Sequence, residues 1–363
     1  MTLGPEPQEG LGFCHEGYGP VEEERRSVSL EACQRAVELI DGANHILVTT
    51  HIRPDGDACG CVAAMAEVLK DRGKTVHSLF VSPVPDGYVF LFEEKVPVLG
   101  EDVHVQALLD GDWGPIDLIV ILDTNSYGQL SDFETYVRRS GVPILIFDHH
   151  VTSDKLGQVE VVDSTAAAAG LVLLEFLDQV GWPIPPKVAQ ALFVSIATDT
   201  GWFHLRNTDS RVFRRCAELI EAGVDPNDLY RRLYQTFSYA RFKLMSVMFD
   251  RLELHLDGRY ASQYLLREDF ERTGAAYRDT ENLINECQRI ASVAVAALFM
   301  ELRDGRIRCS LRSRPEGERV VDVSEIAGRF GGGGHKMAAG TYLPAPIEHA
   351  MKLIFDEVAK RLG

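Results

Sequence analysis

Short, unbroken apolar runs alternate along the first half of the chain with segments whose apolar positions recur every three or four residues. The runs lie at 46–51 (Ile-Leu-Val-Thr-Thr-His), 75–81, 118–123 (Leu-Ile-Val-Ile-Leu-Asp) and 144–148 (Ile-Leu-Ile-Phe-Asp), with another at 158–162. Runs of this kind predict strands buried on both faces. Helical spacing appears at 29–41, where Leu30, Cys33, Ala36, Val37 and Ile40 share one side and Asp41-Gly42 closes the segment. A second helix, between the first two strands, carries Cys61, Val62, Met65, Val68 and Leu69 on one face and stops at Gly73. Buried strands separated by helices predict an α/β fold, a doubly wound and mainly parallel sheet covered on both sides. In such sheets ligands bind beyond the carboxyl ends of the strands, and His51, Asp123 and Asp148 fall at three such ends.

The pattern then changes. Residues 187–201 and 209–255 read as helices, the latter broken near Gly223–Pro226 and at Ser238. Strand patterns return at 259–266, 293–301 and 306–313, followed by a helix at 322–330. The run Gly331-Gly332-Gly333-Gly334-His335 comes next, and an amphipathic helix over 347–361 closes the chain. Residues 1–27, with Gly, Pro and six Glu but little periodicity, read as a mobile arm. The expected organisation is a catalytic domain over 28–237, a helical linker over 238–257 and a smaller α/β domain over 258–363.

Composition sets limits. A content of 45% hydrophobic and 25% charged residues is that of an ordinary globular protein. No stretch approaches the roughly 20 apolar residues that span a bilayer, and the N-terminus lacks the basic-then-apolar order of a signal peptide. A cytoplasmic protein with no membrane partner is the expectation. The net charge of −17 argues against a protein that coats long nucleic acid, whose phosphates need clustered Lys and Arg. It leaves small phosphorylated substrates open. The balance reverses locally, with Arg303, Arg306, Arg308, Arg312, Arg314 and Arg319 against Asp304, Glu316 and Glu318. Seven scattered cysteines do not suggest a disulfide framework, and the Cys59–Cys61 pair reads as packing in a helix's first turn.

Candidate chemistry clusters at the strand ends. His51-Ile-Arg-Pro-Asp55-Gly-Asp57 leaves the first strand on a turn that lets one imidazole and two carboxylates converge. The blander alternative is an Asp- and Gly-rich turn with Asp57 capping the next helix. Asp148-His149-His150 is harder to dismiss, since packing explains two histidines after a buried strand poorly. Asp199, in Ala-Thr-Asp-Thr-Gly, would by itself read as a helix cap. Carboxylates and imidazoles without a thiolate select manganese or magnesium over structural zinc, with iron, cobalt or zinc admissible. His51, Asp55, Asp57, Asp123, His149 and Asp199 are ligands enough for two ions, an arrangement suited to phosphoryl chemistry. Gly332, Gly333, Gly334 and His335, beside Arg312 and Arg314, form a candidate anion pocket.

The motifs HIRPDGDACG (51–60), LDTN (122–125), DHH (148–150), ATDTGWF (197–203) and FGGGGHKMAAG (330–340) resemble those of the DHH–DHHA1 phosphoesterases. The resemblance is to the stand-alone oligoribonuclease and pAp-phosphatase (NrnA-type) branch and runs from about 43 to 363. It implies two manganese ions, one on Asp57, Asp123, His149 and Asp199, the other on His51, Asp55 and a bridging Asp123. It further implies His150 on the scissile phosphate, Asp148 orienting its neighbours, and Arg312, Arg314, the glycines and His335 gripping the nucleotide. His204-Leu205-Arg206-Asn207 departs from the basic or aromatic residue that relatives often carry there.

The implied activity is hydrolysis by a metal-activated water of very short RNA to mononucleotides, and of 3′-phosphoadenosine 5′-phosphate (pAp) to AMP, by a homodimer. Competing readings are a phosphodiesterase acting on a cyclic or linear dinucleotide, a RecJ-like exonuclease, a family II-type pyrophosphatase and a catalytically silent nucleotide-binding protein. The length leaves little room for an extra nucleic-acid domain, and a pyrophosphatase would not be expected to carry GGGGH with the AAG that follows.

Overall fold

The computed structural model describes residues 28–314 and 320–363; the arm expected over 1–27 lies outside them. The chain divides into two units, Met1–Leu233 and Tyr234–Gly363. The first is built on parallel strands β1 (His45–Thr49), β2 (Thr75–Ser78), β3 (Leu118–Leu122), β4 (Ile144–Asp148) and β5 (Val159–Val162), in the order β2-β1-β3-β4-β5. Its helices are α1 (Leu30–Gly42), α2 (Gly56–Asp71), α3 (Val105–Asp110), α4 (Phe133–Ser140), α5 (Ala169–Gln179), α6 (Pro186–Asp199), α7 (Ser210–Glu221) and α8 (Pro226–Tyr234).

Both sheet faces are covered, which explains the unbroken apolar runs. Ile46, Val48, Val120, Leu122 and Phe147 pack into the core formed with α1, α2, α5 and α6. Leu47, Ile119, Ile121, Ile144 and Ile146 face α3 and α4. Each such residue contributes roughly 1.5–3 kcal/mol when fully buried. Strand order reverses between β1 and β3, the switch point where such sheets open a crevice at their carboxyl ends. Helices α2 and α6 meet closely there because residue 60 has no side chain. A Cβ on Gly60 would lie 2.8 Å from Ser195 Cβ.

The second unit has a mixed sheet in the order β10-β11-β9-β8-β7-β6, from β6 (Glu253–His255), β7 (Tyr260–Leu265), β8 (Val295–Glu301), β9 (Ile307–Ser313), β10 (Gly333–His335) and β11 (Ala338–Leu343). Only β7 and β8 pair in parallel. Helices α9 (Tyr239–Asp250), α10 (Arg267–Thr273), α11 (Val323–Gly328) and α12 (Ile347–Leu362) complete it. Val295, Phe299, Cys309 and Leu311 pack with residues of α11 and α12. Ala296, Leu298 and Met300 point the other way, into a core with Leu244 and Met248 of α9.

Two local expectations change. The helical reading of 209–255 runs too far, since Glu253–His255 pair antiparallel with β7 as β6. Part of the glycine run is also strand: β10 pairs antiparallel with β11.

Candidate metal centre

The site is assembled at the ends of β1, β3 and β4 and at the facing ends of α2 and α6. Thr50 Oγ1 donates to the Leu122 carbonyl at 2.8 Å, tying the exit of β1 to β3. His51 follows, with Nδ1 at 2.8 Å from the Ile52 carbonyl and Nε2 at 3.3 Å from Asp123 Oδ2. Burial pulls the His51 pKa down, but the hydrogen bond and charge of Asp123 outweigh it and lift the value to about 9. Asp55 caps α2, its carboxylate accepting from the backbone N–H of Asp57 at 3.0 Å and of Ala58 at 3.1 Å.

Asp57, in the first turn of α2, is only 1% exposed. Its carboxylate accepts from the N–H groups of Ala169 at 2.7 Å and Gly170 at 3.0 Å, from Ser195 Oγ, and from Cys61 Sγ at 3.3 Å. Burial first, then the charges of Asp123 and Asp199, still push its pKa well up. Asp199 closes α6 and is raised to about 6, chiefly by burial, with Asp123 and Asp55 adding to the rise and His149 opposing it.

Asp123 leaves β3 in the left-handed region, φ 60°. A non-glycine residue there is strained, and its N–H is held by the Phe147 carbonyl at 2.9 Å. Burial would raise its pKa, but His149 and His51 hold it below the usual carboxylate value. Asp148, fully buried, accepts on Oδ1 from the N–H groups of His149 at 2.8 Å and His150 at 3.2 Å, and from His150 Nδ1 at 2.7 Å. His149 turns Nδ1 to the Ala166 carbonyl at 3.2 Å. Its Nε2 lies 3.5 Å from Asp123, 3.8 Å from Asp57 and 3.8 Å from Asp199. Burial lowers the His149 pKa, but Asp123, Asp57 and Asp199 lift it to about 10.

All the carboxylates and imidazoles singled out at the strand ends therefore converge. Ligand atoms of His51, Asp55 and Asp123 lie within 4.8 Å of one another, as do those of Asp57, His149 and Asp199, and of Asp123, His149 and His150. The donor set fits divalent cations. It is oxygen and imidazole nitrogen throughout; the neighbouring Cys61 thiol donates to Asp57 and burial pushes its pKa well up, so it stays protonated. Asp123 Oδ1 is buried without a hydrogen-bond partner, a loss of roughly 1–3 kcal/mol that a cation would offset.

The anion-pocket residues lie in the second unit. Arg312 pairs across β11 with Ala338, which in turn pairs with His335 on β10, so the three share one face. Arg314 reaches elsewhere, its Nη1 donating to the Gln288 carbonyl at 2.9 Å and its Nη2 to that of Ala291. It braces the 3-10 turn Leu283–Arg289. The N–H groups of Gly331 and Gly332 close the end of α11, on the Gly328 and Ala327 carbonyls at 3.1 and 2.9 Å. Gly333, Gly334 and His335 form the edge strand β10.

Some positioning residues carried too weak a signal. Ser195 sits one turn before Asp199 on α6, and Cys61 one turn after Asp57 on α2, so helical spacing puts each beside a candidate ligand. Asn125 joins LDTN to the segment after DHH, donating to Ser153 Oγ at 2.8 Å and accepting from Leu156 N at 3.1 Å. Asn207 ties the end of α6 to the approach to α5, donating to the carbonyls of Asp199 and Ala167, each at 3.1 Å.

A carboxylate–imidazole cluster at the switch point of a parallel sheet, with a mixed-sheet domain following in sequence, is the plan of a two-domain α/β phosphoesterase. The model of the DHH family, N-terminal domain, matches residues 45–196 and that of the DHHA1 domain residues 257–362, so the chain belongs to the DHH family in its DHHA1-bearing form. It is 28% identical over 323 residues to the bifunctional oligoribonuclease and PAP phosphatase NrnA of Thermus thermophilus, covering 87% of this chain and 90% of that one. The Bacillus subtilis protein of the same name is 26% identical over 309 residues, covering 84% and 90%. In three dimensions an exopolyphosphatase-related protein from Bacteroides fragilis aligns with TM-score 0.83 at 22% identity, covering 92% of this chain and 97% of that one. None of the described helices is long and apolar enough to cross a membrane.

Proposed function

We propose that the protein is a two-metal phosphoesterase that shortens very short RNA to mononucleotides and converts pAp to AMP. The observation carrying this reading is the position of Asp123, whose carboxylate belongs to the ligand set with His51 and Asp55 and also faces the set of Asp57, His149 and Asp199. The substrate class is supported by the relatives, whose names give both activities.

In this reading His51, Asp55 and Asp123 hold one ion, and Asp57, Asp123, His149 and Asp199 the other, with manganese preferred. Divalent ions there supply the positive charge that phosphoryl transfer needs and make a nucleophilic water easier to deprotonate. Asp148 holds His150 by Nδ1 and raises its pKa, chiefly through that hydrogen bond. That hydrogen bond fixes the half-exposed imidazole, which in this reading contacts the scissile phosphate. Arg312 and His335 offer charge and hydrogen bonds to the nucleotide, with Arg314 steadying the neighbouring turn. The enzyme is read as cytoplasmic and homodimeric.

The test is purified full-length protein with Mn²⁺, presented with pApA, RNA of two to five nucleotides and pAp. Release of mononucleotide and of AMP is expected, and all three substrates left intact would overturn the proposal. Asp123→Ala should reduce turnover by several orders of magnitude, since it removes the ligand common to both ions. Near-normal turnover in that variant would rule out the shared-ligand arrangement.

A further inference from the structure

The sheet of the second unit is covered unevenly. On the face that carries Ala296, Leu298 and Met300, β8 lies under the α9 core, while the pairing register puts Arg312, Ser310 and Arg308 of β9 on that same face. Opposite them on β11 stand Ala338, Gly340 and Tyr342. The half formed by β9, β11 and β10 therefore has a floor of small residues, Ser310, Ala338 and Gly340. Arg312 and His335 bound it at one end, and Arg308 and Tyr342 at the other. The two ends are four residues apart along β9, about 13 Å.

The far end is aromatic and basic. Tyr342 is 52% exposed and Tyr277 43%. Arg308 Nη1 donates to Tyr277 Oη at 2.5 Å, and the Arg306 guanidinium lies 4.7 Å from the Tyr342 ring centre. Arg306 is paired with Asp304 at 2.7 Å. Among the described residues Arg308 and Arg312 have no carboxylate partner; one bonds a phenol and the other the Leu311 carbonyl. Partial burial first, and then the charge of Arg308, lower the Arg312 pKa, as expected for cations that have no carboxylate partner among the described residues. In a chain of net charge −17 such a patch calls for a phosphate-bearing occupant.

We propose that Arg308, Tyr342 and Tyr277 form a second nucleotide subsite on the DHHA1 sheet, which takes a base and phosphate distal to the nucleotide held by Arg312 and His335. This rests on the phosphoesterase reading above and extends it to the length of the substrate. The occupant is single-stranded. Exposed aromatic faces stack on unpaired bases of any sequence, and unpaired guanidinium groups follow the backbone. A substrate of two nucleotides is too short to span both subsites, about 13 Å apart, whereas one of four or five covers both and the floor between them.

The test compares kcat/KM for a pentanucleotide with that for a dinucleotide, in full-length protein with Mn²⁺. Tyr342→Ala should lower the pentanucleotide-to-dinucleotide ratio about tenfold, as loss of one base–aromatic stack predicts. Tyr342→Phe should restore it. Arg308→Gln should also lower the ratio and weaken its dependence on salt. An unmoved ratio in Tyr342→Ala and Arg308→Gln overturns the inference, and the face then serves another occupant, such as a second copy of the chain. If the wild type cleaves neither substrate, the phosphoesterase reading fails separately. Equilibrium binding of a labelled pentanucleotide then decides the subsite, which stands only if Tyr342→Ala weakens binding about tenfold.

Discussion

Asp57 has hydrogen-bond donors on both carboxylate oxygens before any cation arrives: two backbone N–H groups, the Ser195 hydroxyl and the Cys61 thiol. Such a carboxylate is aimed by its surroundings, and Ser195 is the donor that a mutation removes most cleanly. Ser195→Ala should weaken Mn²⁺ binding roughly 10–100-fold, the usual effect of losing an outer hydrogen bond to a ligand. Titration calorimetry reads this directly. Unchanged affinity would mean that Ala169 and Gly170 aim Asp57 unaided. The same comparison explains what could be read from the residues. Asp55, Asp123, His149 and their companions stand out because charged groups at the ends of apolar strands have no packing role. Ser195 hides, since a serine in an apolar helix resembles ordinary core until Gly60 and Asp57 are seen against it. Arg314 is the converse case, because its type suggested an anion contact and spacing gave no sign that its guanidinium also braces a turn.

At the scale of elements, α12 is legible from its apolar spacing, but its polar end carries a cluster that spacing does not reveal. Glu357 accepts from Lys360 at 2.6 Å, Arg361 at 2.9 Å and Arg329 at 3.2 Å. These cations, led by Lys360 and Arg361, depress its pKa from 4.5 to about 2. A depressed carboxylate stabilises the folded state above its unfolded pKa, and the contribution fades as pH falls towards the folded value. Glu357→Gln should therefore lower the melting temperature by a few degrees at pH 7, and the gap should close between pH 4.5 and about 2. A gap that persists at the acid end would mean that the loss is one of packing. The strands missed by pattern share a cause. Glu253–His255 is too short to show a period, and Gly333 and Gly334 belong to β10 only because β11 pairs with them. Tertiary pairing there overrides weak strand propensity. By contrast β3 and β4 are legible to within a residue, since burial on both faces leaves only apolar types acceptable.

For the whole molecule the net charge of −17 and the proposed ion pair bear on stability together. Asp55, Asp57, Asp123 and Asp199 are gathered in one cluster, with Asp57 and Asp123 buried at its centre, and like charges in a poorly solvated site destabilise the fold that holds them. An ion bound only by the folded state adds RT ln(1 + [L]/Kd) to its stability. Beyond saturation each tenfold rise in free metal then contributes about 1.4 kcal/mol per bound ion. Thermal unfolding of the full-length protein across a series of buffered Mn²⁺ concentrations reads that slope. One ion gives about 1.4 kcal/mol per decade and two give about 2.8, so the stoichiometry follows without any assay of turnover. Asp123→Ala should flatten the slope, because each ion loses a ligand. A wild-type melting temperature that is flat in Mn²⁺ would exclude folded-state ions at this cluster. A slope of one ion would divide the site, leaving Asp123 to a single partner set.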